Sequence, residues 1–454
     1  MQNGVKRLGL RDLIFERSGS IAIRVLCAIF GFGLTVFFRR IEFFNHHQLP
    51  DGTGLIFVSN HPNALIDPAL LFVALPRKIA FLAKSTLFKM PVIGWLVRSV
   101  GALPLYRQQD AGEDVSKNQE TFRLTRDLLK SGGAIALFPE GVSHNSPKIL
   151  PLKTGAARIA LGAVSSGANP GSLRLSIVPV GLFYTSKTTF RSEALLHFGE
   201  PFEVSPVGLD AHGHPPRESV RQLTERIEIA LREVTLNAES DAGLKVAKIA
   251  EDVFSVTTPD DENLAERLRF MQKFVAEPDS ESGTRRDKRL AEFAAELEEL
   301  GLESEFLNLA GYSRRFVVRQ ALKRSWYLIV LAPLAIIGVI VHFIPYQIVR
   351  FAAATQTRKG DHDMTSTVKL LTAMVFIPAS WFIFAAIVTF FFSWPIAIAS
   401  VPVSALSGWV ALRALEEIDE LHGWLRAIYV FFAKREKFLR LIAERRNLFD
   451  AVNR

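Results

Sequence analysis

An imidazole and a carboxylate stand six positions apart in Val58-Ser59-Asn60-His61-Pro62-Asn63-Ala64-Leu65-Ile66-Asp67-Pro68. The apolar run Leu55-Ile56-Phe57-Val58 leads into His61, as a buried strand delivers a titratable group to a cleft. Such a pair can take a proton from a hydroxyl at physiological pH. One ring nitrogen accepts the proton and the carboxylate fixes which nitrogen is free to do so. On a single helix the two side chains would point apart, and Pro62 disfavours helical backbone at His61. The path is therefore strand, turn, then helix. Asp67-Pro68 suits the helix start, with Asp67 as N-cap and Pro68 as the first helical residue. A purely local reading stands beside the chemical one: Asp67 only caps a helix and His61 only satisfies a turn.

Further stretches hold groups that such chemistry could use. Gly101-Ala102-Leu103-Pro104-Leu105-Tyr106-Arg107 ends an apolar run in an arginine whose planar fork suits a phosphate. Ala134–Phe138 runs into Pro139-Glu140-Gly141, with Ser143, His144 and Asn145 just beyond. The proline stops ladder pairing and the glycine permits a tight turn, so Glu140 is aimed at the carboxyl edge of the sheet. Open α/β sheets bind ligands at that edge. Lys153, Thr154, Gly155 and Arg158 bring basic groups and amides to a helix start, which suits an anion. Ile177-Val178-Pro179-Val180-Gly181 is a strand interrupted by proline, which predicts an edge or a bend beside a groove. Each stretch also has a plain structural reading, as an arginine after a strand or a solvated turn glutamate. Glu140 and His144 are spaced i,i+4, but two groups are too few to hold a metal, and no metal or cofactor is expected. The single cysteine, Cys27, lies in an apolar stretch, so a thiol nucleophile and a cysteine-based zinc site are excluded from the domain that carries His61.

Short apolar runs and helical patterns alternate between residues 50 and 205. Leu55–Ser59, Ile79–Leu82, Ala102–Leu105, Ala134–Phe138 and Ile177–Val180 read as buried strands. Pro68–Ala74, Asn118–Lys130 and Thr154–Val164 read as helices. The alternation predicts an α/β domain whose sheet is covered by helices. After a Gly/Pro/His linker at His212–Pro216, Val220, Leu223, Ile227, Leu231 and Val234 keep helical spacing. Leu290, Phe293, Leu297 and Leu300 form a narrow stripe in a polar helical region, read as a packed insert. The expected division is a membrane-associated helix in 1–48, the α/β domain in 49–210, a helical region in 211–323, a transmembrane block in 324–412 and a basic amphipathic helix in 413–454.

The chain has 454 residues, 49% of them apolar, with 35 Phe concentrated toward apolar blocks near the ends. The formal charge of +8 is modest; it fits anionic headgroups or phosphorylated substrates and does not argue for nucleic acid. Ile21–Phe38 begins too late for a secretory signal, contains Arg24 and ends in Arg39-Arg40 without a small-residue cleavage pattern. It reads as either a buried amphipathic helix or a membrane-dipping anchor. Trp326–Phe343 and Leu371–Phe392 are apolar runs without charge, long enough to span a bilayer. Ser393-Trp394-Pro395 precedes a third stretch, Ile396–Leu412. Five basic residues between Arg314 and Arg324 precede the block, and eight between Arg413 and Arg446 follow it. Basic flanks on both sides predict that both ends lie in the cytosol. The first two runs then form a hairpin and the third is re-entrant or interfacial.

Taken in order, His61…Asp67, Gly101–Arg107, Phe138-Pro139-Glu140-Gly141 and Val178-Pro179-Val180 resemble the glycerol-3-phosphate and lysophosphatidate acyltransferases of glycerolipid synthesis. The resemblance covers roughly residues 40–210. It implies a mixed sheet covered by helices and a membrane-bound enzyme with its catalytic domain on the cytosolic face. It also implies an acyl thioester donor (acyl-CoA or an acyl carrier protein) and a phosphorylated glycerol or lysophospholipid acceptor. His61 would be the general base, oriented by Asp67. Arg107 and Lys153 would engage the acceptor phosphate, Glu140 and Gly141 would line the acceptor site, and Pro179 would belong to the acyl groove. The family's usual spacing leaves four residues between His and Asp, whereas Pro62–Ile66 makes five, as in a branch that includes fungal-type glycerol-3-phosphate acyltransferases. After Gly141 the sequence runs Val142-Ser143 where the family commonly has Thr-Arg, which brings Ser143, Arg158 and Arg191 into consideration near the phosphate. Two other readings fit part of the pattern: a non-catalytic lipid-binding or membrane-remodelling protein that keeps the fold, and a thioester hydrolase in which water replaces the acceptor.

Overall fold

The computed structural model describes the chain apart from residues 1–4, 10–19, 47–48, 51, 76–78, 108–109, 111, 167–172, 255–262, 277–280, 305, 308–313, 359–363 and 453–454. Its contacts form two units: residues 1–237 with 362–367, and residues 238–361 with 368–454.

The first unit is built on nine strands: β1 (Val5–Arg7), β2 (Arg40–Phe44), β3 (Gly54–Ser59), β4 (Ile79–Lys84), β5 (Leu103–Leu105), β6 (Ala134–Leu137), β7 (Leu175–Tyr184), β8 (Glu193–Phe198) and β9 (Phe202–Glu203). They lie in the order β1-β2-β8-β7-β3-β6-β4-β5, with β9 also on β7. The run β7-β3-β6-β4-β5 is parallel throughout. β8 is antiparallel to β7, β2 is parallel to β8, and β1 is antiparallel to β2, so the sheet is mixed. Parallel strands need crossovers, and helices α1 (Ile21–Phe37), α2 (Ile66–Ala74), α3 (Pro91–Ser99), α4 (Asn118–Lys130), α5 (Gly155–Ser165) and α6 (Arg217–Val234) join or cover them. β3, β6 and β7 are buried along their whole length, which is why they read as unbroken apolar runs. Ile56, Val58, Ile135 and Ile177 pack against Leu129, Ile159 and Leu161 and against Leu223, Ile227 and Leu231 of α6. The stripe expected for α6 is therefore buried, and it serves the core of this sheet.

Pro179 is not at an edge. It lies inside β7, opposite Val58 of β3, with β8 on the other side. A central strand tolerates proline only where no ladder donor is needed. The register supplies that place: β8 pairs as Val180↔Phe198, while β9 pairs as Ile177↔Phe202, one residue out of step. The extra residue is a bulge at the β8–β9 junction. There Gly199 N–H donates to the Pro179 carbonyl at 2.8 Å, and nothing is asked of the missing proline N–H. A Cβ on Gly199 would come within 2.7 Å of the Pro179 ring, so glycine is required at this approach.

Helix α1 combines features of both sequence readings. Cys27, Phe30, Leu34 and Phe37 are buried, whereas Ile21, Val25, Ile29 and Phe32 on the other face are half-exposed or more. Arg39 and Arg40, which close this stretch in sequence, pair with the buried Glu193 at 3.0 and 3.1 Å.

The second unit is helical: α7 (Asp241–Phe254), α8 (Leu264–Ala276), α9 (Glu281–Leu300), α10 (Arg314–Arg358), α11 (Thr365–Phe391, from Val368 onward), α12 (Trp394–Ala433) and α13 (Arg435–Val452). Leu290, Phe293, Leu297 and Leu300 of α9 are all buried. Among the described residues, α10, α11 and α12 are long and apolar enough to cross a membrane. The third apolar stretch is part of one continuous helix of 40 residues. Its tight partner is α10. Ala335 packs with Val410, Ala411 and Ala414, and a Cβ on Gly338 would meet the Ser407 carbonyl at 2.1 Å. Arg324 bonds Glu417 at 2.9 Å and also Glu420. Residue numbers rise along α10 as they fall along α12, so the two run antiparallel. The segment before the first apolar run therefore meets the segment after the third.

Candidate active site

Three parallel strands deliver the candidate residues to one edge. β3 ends before His61, β6 before Glu140, and β7 in Tyr184. Asn60 is fixed first: its amide donates to the Leu182 carbonyl at 3.0 Å and accepts from Leu182 N–H at 2.7 Å, locking the end of β3 to β7. His61 follows, its side chain 18% exposed, and its Nδ1 lies 2.8 Å from Oδ2 of the fully buried Asp67. The ring stacks on Phe138 with centroids 4.0 Å apart and planes 15° from parallel. With Nδ1–H donated to the carboxylate, the lone pair sits on Nε2. That nitrogen is the one left free to accept a proton.

Asp67 holds three donors. Oδ2 accepts from His61 and from Asn63 N–H at 2.7 Å, and Oδ1 accepts from the Tyr184 hydroxyl at 2.5 Å. Burial, with the adjacent Asp67 carboxylate, holds the Tyr184 phenol well above a tyrosine's ordinary range, so it stays a donor. The expected N-cap role does not occur. Helix α2 starts at Ile66, its N-cap is Leu65 without a side-chain bond, and Asp67 already lies in the first turn. The carboxylate reaches back into the turn instead of capping the helix, because the imidazole, amide and phenol offer it charge-stabilising donors.

Glu140 is 2% exposed, so it is neither a solvated turn residue nor a group open to a ligand. Oε1 accepts from His61 N–H at 3.0 Å; Oε2 accepts from Leu150 N–H at 2.8 Å and bonds His144 Nε2. Ser146 N–H donates to His144 Nδ1 at 3.1 Å, which leaves the His144 proton on Nε2, facing Glu140. Glu140 thus ties the His61 turn to its own loop. Gly141 has φ +78, the left-handed conformation this tight turn needs. Ser143 is brought to the same turn: its Oγ accepts from Ala64 N–H at 3.0 Å. Ala64 itself has φ +33, rare for a residue with a Cβ. Among the described residues no group of three or more His, Cys, Asp or Glu could hold a metal.

The candidate phosphate-binding residues are less closely gathered. Lys153 lies against the Glu140 turn, its N–H donating to the Pro139 carbonyl at 2.7 Å and its side chain near Gly141. Arg107 follows β5, three strands from β3, and Asn118 holds the preceding Tyr106 by 2.9 and 2.8 Å bonds. Arg158 is exposed on α5. Arg191 is used elsewhere: its guanidinium bonds the Thr35 carbonyl at 3.3 Å at the end of α1, where a cation meets orphan carbonyls. Pro179 lies within β7 as described. Tyr184 and Asn63 were not legible as site residues. The apolar character of β7 continues past Gly181 to Tyr184, and that continuation was the available signal.

Removing the Tyr184 hydroxyl takes one of the three donors from a buried carboxylate. Tyr184→Phe is expected to cost about 1.5–3 kcal/mol of stability. It is also expected to lower the rate more than it changes substrate KM, read by thermal unfolding and steady-state kinetics.

A histidine oriented by a buried carboxylate at the carboxyl edge of a helix-covered α/β sheet is able to abstract a proton from a hydroxyl. Comparison with known proteins finds relatives of the segment that carries this site. Residues 40–182 match the family model described as Acyltransferase. Glycerol-3-phosphate O-acyltransferase 2 of Saccharomyces cerevisiae is 39% identical over 30% of this chain and 18% of its own length. Glycerol-3-phosphate O-acyltransferase 1 of the same yeast is 23% identical over 78% of this chain and 59% of its own. The crystal structure of the 1-acyl-sn-glycerophosphate acyltransferase PlsC from Thermotoga maritima matches at 21% identity and a TM-score of 0.33, covering 47% of this chain and 79% of that one. The chain thus spans less than two thirds of the length of these yeast relatives.

Proposed function

We propose that this protein is a membrane-bound O-acyltransferase that moves a fatty acyl group from an acyl thioester to a hydroxyl of glycerol 3-phosphate or a lysophospholipid. The observation that carries the reading is the His61–Asp67 pair, with Nδ1 committed to the carboxylate. As the acceptor oxygen attacks the thioester carbonyl carbon, its proton passes to His61 Nε2. The C–S bond then breaks and the imidazolium returns the proton to the departing thiolate, giving an ester and a free thiol. Asp67 stabilises the cation formed on the ring between these steps. Lys153 beside the Gly141 turn and Arg107 beyond β5 supply positive charge for the acceptor phosphate. The absence of cysteine outside α1 suits direct transfer without a thiol acyl-enzyme.

Three helices among the described residues, long and apolar enough to cross a bilayer, support attachment to the membrane that holds the product. The reading is tested by supplying purified membranes with acyl-CoA or acyl carrier protein thioester and a panel of acceptors: glycerol 3-phosphate, dihydroxyacetone phosphate, lysophosphatidate and lysophospholipids. Esterified product from at least one acceptor is expected. Free fatty acid as the sole product would replace the reading with a thioester hydrolase, and no turnover of either donor would favour a lipid-binding protein that keeps the fold.

A further inference from the structure

The turn that carries His61 is held in part from far outside the family-matched segment. Pro62 has no N–H. Every other amide from His61 to Leu65 is taken by a side chain: His61 by Glu140, Asn63 by Asp67, Ala64 by Ser143, and Leu65 by Thr367, whose Oγ1 accepts at 3.2 Å. Leu65 is the N-cap of α2, so its N–H has no acceptor within the helix. Thr367 stands 302 positions downstream, in the short stretch 362–367 that belongs by its contacts to the catalytic unit.

Its neighbour Ser366 makes a second attachment. Ser366 Oγ donates to the Lys187 carbonyl at 2.6 Å, and the same carbonyl accepts from Asn63 Nδ2 at 3.1 Å. Asn63 is the residue whose N–H holds Asp67 Oδ2. Both downstream side chains are buried, Ser366 at 0% and Thr367 at 1% exposure. Between the two attachments lies Ala64 at φ +33, a backbone conformation that persists only where surrounding contacts over-determine it. Glu140 and Ser143 brace the turn from the β6 side, while Ser366 and Thr367 brace it from the opposite end of the sequence.

We propose that Ser366 and Thr367 are positioning residues for the His61–Asp67 pair, and that the catalytic turn reaches its working geometry only with this stretch seated on it. The inference rests on the acyl-transfer reading above. It makes reaction geometry depend on residues that the acyltransferase domain alone, residues 40–182, does not contain. A base displaced by a fraction of an ångström still binds substrate but loses alignment with the attacking hydroxyl, so the effect belongs in kcat.

The test uses the full chain in purified membranes, with rates divided by the amount of folded, inserted protein. Thr367→Val keeps the shape and removes the acceptor; Thr367→Ser keeps the acceptor; Ser366→Ala removes one hydroxyl. Thr367→Val and Ser366→Ala are each expected to lower kcat by about 10-fold, toward ~10²-fold for the pair together. KM for donor and acceptor stays near the wild-type value, and Thr367→Ser retains most of the rate. Wild-type kcat in folded Thr367→Val would overturn the inference, as would Thr367→Ser slowed equally. If Thr367→Val fails to accumulate, Ser366→Ala decides: full kcat in that variant overturns the proposal. A wild-type chain that esterifies no acceptor would instead overturn the acyl-transfer reading, which these variants leave separable.

Discussion

His61→Ala is expected to lower acyl transfer by about 10²–10⁴-fold, the range a positioned general base supplies. The loss falls on the chemical step because the proposed transfer has His61 Nε2 receive the acceptor proton. The protein should survive the change. Asp67 keeps two of its three donors, Asn63 N–H and the Tyr184 hydroxyl, so its buried carboxylate is not orphaned. The turn keeps its Glu140, Ser143 and Asp67 bonds, since these engage backbone amides rather than the ring. What is lost structurally is one face of the Phe138 stack and one hydrogen bond, together on the order of 1–3 kcal/mol. The measurement is initial rate in purified membranes at matched protein levels, with insertion checked separately. A folded, inserted His61→Ala chain that still esterifies acceptor at the wild-type rate would remove the proposed base.

How far sequence reasoning reached follows from where each constraint lies along the chain. β3, β6 and α4 were legible because strands buried on both faces read as apolar runs and an amphipathic helix keeps its period. β2 and β8 were not. Arg-Ile-Glu-Phe-Phe and Glu-Ala-Leu-Leu-His-Phe carry charges that local propensity assigns to the surface, yet Glu42 and Glu193 are buried. Arg39 and Arg40 supply the pairing for Glu193 from residues whose partner lies more than 150 positions away. The proline in β7 misled in the same way, since the bulge that accommodates it is made by a different strand. Within the site, His61, Asp67 and Glu140 were legible from strand-to-turn grammar. That Glu140 is sealed by backbone amides and His144 was not, because a glycine turn exposes or buries its glutamate according to what packs over it. Asp67 shows the limit most clearly. Asp-Pro is a sound helix-start signal, but two donors distant from the helix start, His61 and Tyr184, compete for the same carboxylate and win.

Asp67→Asn separates that competition from catalysis. The carboxylate accepts on both oxygens: His61 Nδ1–H and Asn63 N–H on Oδ2, and the Tyr184 hydroxyl on Oδ1. Asparagine offers one oxygen and one NH2 group. Turned with its oxygen toward His61 and Asn63, it keeps both of those bonds. The Tyr184 hydroxyl, free to rotate, can then accept from the amide. The geometry is therefore retained and the negative charge is lost. In the proposed transition state His61 becomes cationic in a partly buried setting, and a neutral amide stabilises that cation far less than a carboxylate does. The expected result is a folded protein with rate reduced about 10²–10⁴-fold, comparable to loss of the base, and with acceptor KM little changed. If Asp67 merely supported the start of α2, the same substitution would leave the rate intact, because asparagine is as good a cap as aspartate. Steady-state kinetics and thermal unfolding of this one variant distinguish the two roles: rate lost with stability kept assigns Asp67 to the chemistry, and rate kept denies it.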